Sequence, residues 1–219
     1  MYRLPDVSLL NPVIDLAIEV GGAIAGTVQV LVTERQELQI VAHRGFRASF
    51  LQHFRVVTAD DGTSAGHALL DRRRIVIRDT HEDPGYAPHR AIADEAGYRA
   101  AVSIPLIGHD GGGIVGVLSV CFAKPHQPSP DVLSKLDLLG VLAARIIESS
   151  RLRSKIEDGA LKRGLPLPSL PAPAMHAAVS TREMLAMLRE RGMDNVVAEA
   201  IVGEFDRLLP ELQKFARIW

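Results

Sequence analysis

The sequence predicts an α+β protein built on a central antiparallel sheet of five to six strands, and three stretches point to it. The first runs from Tyr98 to Pro125, where two runs rich in Val and Ile, Ala100 to Ile107 and Ile114 to Ala123, flank His109, Asp110 and three glycines. Asp-Gly followed by more Gly supplies the positive φ angles of a tight reversal, and the flanking runs are too short for typical helices. The second is another hairpin, Gly26 to His43, with an alternating, β-branched first arm. The third opens at Ser129-Pro130-Asp131, a capping sequence with proline at the first helical position. There Val132, Leu136, Leu139, Ala143 and Ile146 repeat at the 4-3-4-3 spacing of one helix face.

The remaining elements follow in order. Leu9, Leu10, Val13, Ile14, Ala17 and Ile18 make the apolar stripe of a first helix, starting near residue 11 or slightly earlier and ending at Gly21-Gly22. Strands are expected from Gly26 to Val32 and Glu37 to His43, with Arg35-Gln36 turning between them. Phe46, Phe50 and Phe54, at i, i+4 and i+8, mark a short helix. Ala59 to Ser64 reads as a loop, Ala65 to Leu70 as a short helix, Ile75 to Ile77 as a short strand and His81 to Pro88 as a loop. His89 to Ala96 is a helix closed by Gly97. The long helix extends to Ile156 or beyond. Pro166, Pro168, Pro171 and Pro173 then impose an extended linker. Two further helices are expected, Thr181 to Arg191 and one capped by Asp194. The expected organisation is a domain over 1–158, a linker over 159–175 and a helical tail over 176–219.

Composition narrows the function classes. The 219 residues carry 47% hydrophobic and 23% charged side chains and a net charge of −1, so no global field favours nucleic acid or an anionic membrane. A single cysteine, Cys121, excludes an internal disulfide framework and a cysteine-based zinc cluster. The longest apolar run is about half the roughly 20 residues of a membrane helix, and no signal-peptide pattern opens the chain. The expectation is a cytoplasmic protein.

The strings A-G-T-V-Q-V-L-V, L-Q-I-V-A-H-R-G-F, D-G-T-S-A-G-H-A-L, R-R-I-V-I-R-D, G-Y-R-A-A-V-S-I-P-L-I-G and G-I-V-G-V-L-S-V occur in this order between Ala25 and Val120. In order and spacing they resemble a GAF domain of the type found beside bacterial sensor histidine kinases, over about Leu9 to Arg153. The resemblance implies a GAF-like sheet with the first and last helices on one face. On the other, short helices and loops close a small-molecule pocket. Family members bind cyclic nucleotides, tetrapyrroles or small metabolites, or nothing known, and many dimerise.

Alternation sorts the strand residues into two faces. Val28, Val30, Ala100, Val102, Ile104 and Leu106 share the helix face, joined by Val115 and Val117 or by the opposite set of the last strand. Thr27, Gln29, Arg99 and Ser103 share the other, with Gln39 and His43 as further candidates, and Ser119 and Cys121 are placed with Ser103. Thr27, Gln29, Ser103 and Ser119 are therefore expected either to floor a ligand pocket or to line a packed polar interface. The loop H-E-D-P-G-Y-A-P-H-R is the expected lid, with Tyr86 to stack on a planar ligand and His89 and Arg90 to meet a carboxylate or phosphate. Phe50, with Phe46 and Phe54, walls the pocket or is simple core. His67 and Asp71 lack a third metal ligand, so no metal is expected. Arg72 to Arg74 read as a solvated helix end.

No catalytic motif is found, and no cofactor is assigned. By the resemblance, sulfoxide-reducing members need several cysteines, bilin-binding members an Asp-Ile-Pro motif, and cyclic-nucleotide binders an Asn-Lys…Phe…Asp-Glu signature, none of which is present. The expected function is a sensory module binding a small ligand or a protein partner, and signalling through dimer helices and the tail. The alternative is a structural dimerisation subunit without a ligand. Leu138, Leu142 and Ile147 suggest a second apolar side of the long helix, covered by a second copy of the chain or by the tail. Balanced charge in the tail, six basic against seven acidic side chains from Ala174 to Trp219, argues against DNA reading.

Overall fold

The computed structural model of the chain describes residues 9–108 and 113–162. The glycine turn of the central hairpin, His109 to Gly112, and the expected linker and tail helices lie outside the described residues. Helix α1, Leu10–Gly21, carries Pro12 in its first turn, where a missing N–H costs nothing, and stops at Gly22 with φ 63°. Strands β1, Ala25–Val32, and β2, Glu37–Arg44, form the first hairpin. Then come α2, Ala48–His53, α3, Ser64–Asp71, and β3, Ile75–Ile77. A 3-10 turn over Ala87–His89 leads into α4, Arg90–Ala96, closed by Gly97 at φ 79°. Strands β4, Ala100–Ile107, and β5, Ile114–Phe122, form the central hairpin. Helix α5, Pro130–Lys162, has 33 residues, about 50 Å of helix.

The five strands lie in the order β2-β1-β5-β4-β3, and every neighbouring pair is antiparallel. Helices α1 and α5 cover one face, here called the back. Val28, Val30, Val102, Ile104 and Leu106 are buried there against Ile14 and Leu136. From the last strand the back set is Leu118, Val120 and Phe122, whereas Val117 joins Cys121 at the front. Val115 still reaches the back because the β4–β5 register shifts between Leu106 and Ile107. A bulge of this kind resets the two-residue alternation, which is why neither simple pattern fitted the whole strand.

Leu138, Leu142 and Ile147 are buried in the back cluster, not exposed on a second side of α5. The helix packs on α1 as well as on β4 and β5, so its two-sided apolar pattern is used within the domain. Among the described residues no helix is long and apolar enough to cross a membrane.

Candidate functional site

The front of the sheet holds a small cavity beneath α2, the start of α3 and the loop before α4. Its floor comes from alternate residues of β1 and β5, which the pleat turns away from the helices. Thr27 and Gln29 rise from β1, and Ser119 and Cys121 from β5, with Thr27 directly opposite Ser119 in the register. Phe46, Phe50, Phe54, Tyr86 and Tyr98 wall it. The Phe46 and Phe50 rings stack with centroids 3.6 Å apart, and Phe50 meets Tyr98 edge-on at 6.0 Å. Tyr86 and Tyr98 bond hydroxyl to hydroxyl at 2.9 Å. The cavity volume is about 30 Å³, room for about two water molecules.

Eight of the residues singled out from the sequence line this cavity: Thr27, Gln29, Phe46, Phe50, Phe54, Tyr86, Ser119 and Cys121. Thr27 and Gln29 are only 4% and 3% exposed. Neither side chain has a hydrogen-bond partner among the described residues, although buried polar groups are normally paired. Ser103 lies fully buried beneath the cavity. Its Oγ donates to Ser64 Oγ at 2.9 Å, so the 2.7 Å contact with Ser119 must run from the Ser119 hydroxyl to Ser103. Ser119 therefore keeps only lone pairs to offer the cavity.

Three expected lid or floor residues are placed differently. Arg99 precedes β4 and forms a forked ion pair with Asp79, Nε to Oδ1 at 3.0 Å and Nη2 to Oδ2 at 2.7 Å. The alternation used to place it on the floor begins only at Ala100. These hydrogen bonds hold the Asp79 carboxyl below its usual range. Arg90 donates to the carbonyls of Thr80 and Asp83 and so ties down its own loop. His89, half-buried at the rim, links the loop to two other segments. Its Nε2 lies 2.7 Å from the Asp61 carbonyl, which can only accept, so Nδ1 is the acceptor toward His53 Nε2 at 3.0 Å.

Burial, then repulsion from His89, hold the His53 imidazole below its ordinary value, with Asp61 opposing. An imidazole whose folded value lies below its unfolded one contributes stability that is complete above the unfolded value and fades as the pH falls through the lower folded one. The expected result is faster hydrogen exchange of the α2 amides, after correction for intrinsic rates, between about pH 7.5 and pH 5.5. A flat corrected profile, or one unchanged in His53→Ala, would show that the imidazole pair does not hold α2.

Tyr98, Thr63 and Ser64 also line the cavity and were not marked by the sequence reading. The signal for Thr63 was its place as N-cap of α3, where its Oγ1 accepts from Gly66 N–H at 3.0 Å. Tyr98 lies outside the strand alternation and carries no local signal. Cys121 is buried, and burial pushes its thiol up to about 12. Burial likewise raises both tyrosines, so they stay neutral. Asp71 pairs with Arg73 at 2.8 Å.

A family model for the GAF domain matches residues 7–148. No curated relative matches the sequence. Among solved structures the chain is similar to the GAF domain of a phosphoenolpyruvate-protein phosphotransferase from Coxiella burnetii. That match has 19% identity, covers 70% of this chain and 89% of that one, and has a TM-score of 0.59. The GAF domain/HD domain protein from Geobacter sulfurreducens matches at 17% identity over 68% and 95% of the two chains, with a TM-score of 0.57. A free methionine-R-sulfoxide reductase from Neisseria meningitidis, solved with its substrate, matches at 22% over 65% and 78%, with a TM-score of 0.52. At these identities the likeness is one of fold. With its family model spanning well over half of the sequence, the chain belongs to the GAF domain family.

Proposed function

We propose that this GAF domain, one of a family of sensory and regulatory binding modules, receives a small ligand in its front cavity and works without catalysis in the cytoplasm. The observation that carries the reading is the pair Thr27 and Gln29, buried side chains that lack a hydrogen-bond partner among the described residues and line a cavity walled by aromatic rings. A cavity of about 30 Å³ admits only water, so a ligand must displace Phe46 and Phe50, which ride on or beside the six-residue α2. A thiol pushed up to about 12 stays protonated while the front is closed and reacts only when it opens, which supports a binding role. Output would pass through α5 to a partner protein or a second copy of the chain.

The small volume favours a second reading, an interaction module whose front is filled by its own rings. Two measurements on the freshly purified full chain separate them. Native mass spectrometry is expected to show a retained small molecule, or a mass shift on adding a cell metabolite extract. Alkylation of Cys121, the only cysteine, is expected to slow when the extract is present. No bound mass together with an unaltered labelling rate would favour the filled module.

A further inference from the structure

We propose that the ligand of this cavity is an uncharged, flat molecule with an amide-like edge, such as a one-ring carboxamide or lactam. This deepens the ligand-sensing reading and rests on it. Among the described residues no charged side chain lines the cavity. The arginines nearest in sequence to its tyrosines are committed elsewhere, Arg99 to Asp79 and Arg90 to backbone carbonyls. The remaining positive feature is the N-terminal turn of α3, where Ser64 and Ala65 reach the cavity. That end already faces a carboxylate: Asp61 Oδ1 accepts from Thr63 N–H at 3.0 Å and from Thr63 Oγ1 at 2.7 Å. A second anion there would meet like charge and lose its hydration without a counterion.

The polar groups that remain favour a neutral partner. The Gln29 amide offers one acceptor and donors side by side, which an amide edge matches in a paired fashion. Thr27 adds a hydroxyl, and Ser119 offers acceptors only, because its proton goes to Ser103. A flat ring takes the place of the Phe46–Phe50 stack that the ligand displaces. Leaving the Gln29 amide unpaired against a ligand without such an edge wastes its desolvation.

The test uses matched pairs that differ in charge but little in shape: benzamide with benzoate, and nicotinamide with nicotinate. Each is titrated against the full chain and read by saturation-transfer NMR, with Cys121 alkylation as the report on the cavity. The amides are expected to bind about tenfold or more tightly than the carboxylates, to slow Cys121 labelling, and to lose about tenfold in Gln29→Leu. Thr27→Val, with circular dichroism on both variants, stands in if Gln29→Leu does not fold. Carboxylates binding as well as the amides would overturn the ligand class and leave the cavity reading intact. Amide binding that neither variant weakens would place the contact elsewhere and overturn the proposal. Binding by none of the four probes would overturn this proposal, and the native mass spectrum decides the cavity reading separately.

Discussion

Truncating Phe50 to alanine is expected to destabilise the domain by about 3–5 kcal/mol, the usual range for removing a buried ring. Phe50 is buried and touches Phe46, Phe54 and Tyr98. Its loss removes the stack that fills the front of the sheet and joins the small cavity to the space it leaves. Urea denaturation measures the first effect and Cys121 alkylation the second. Leu136→Ala is the control, because Leu136 is fully buried in the back cluster and its truncation costs a comparable ~2–5 kcal/mol. If front opening is a local event, Phe50→Ala labels about tenfold faster than Leu136→Ala at matched global stability. Equal labelling of the two would show that Cys121 is reached only through global unfolding.

Gly116→Ala is expected to destabilise the sheet at or above the top of the ~1–3 kcal/mol range for overpacking. A Cβ on Gly116 would lie 2.2 Å from the backbone oxygen of Gln29 and 3.3 Å from Leu106 Cδ1. Backbone cannot rotate aside as a side chain does, so β5 must move away from β1 where they pair Val30 with Gly116. The strain falls beside Gln29, and ligand binding should weaken along with stability. Gly113 has nothing within 4 Å of the same added atom, so Gly113→Ala is expected to stay within about 0.5 kcal/mol. Equal midpoints for the two variants in urea would refute the steric argument.

The hairpins and the long helix were legible because their signals are local. β-branched runs, a glycine-rich reversal and a capped apolar stripe each sit within a few residues of one another. The polar floor was also legible, since alternation along β1 places Thr27 and Gln29 on the side opposite Val28 and Val30. What escaped the sequence depends on distant parts meeting. Ser64 reaches Ser103 across 39 positions, and His53 reaches His89 across 36. Arg99 lies one residue before the strand that enforces alternation, so the two-residue period does not set its face. Leu138, Leu142 and Ile147 widen the apolar pattern of α5 because a helix wedged between α1 and a sheet needs a wider apolar arc than one lying on a sheet alone.

The pleat of β1 has a consequence for how this gene product tolerates change. Threonine, valine, glutamine and valine at 27 to 30 address opposite sides in strict turn, polar toward the rings and aliphatic toward the long helices. Inserting or deleting one codon there would swap the two sets at a stroke, driving an amide into oil and stripping the cavity floor of its polar groups. The tolerant place for length variation is the turn over Thr33 to Gln36, exposed and free of both layers. Grafted tags or reporters belong there.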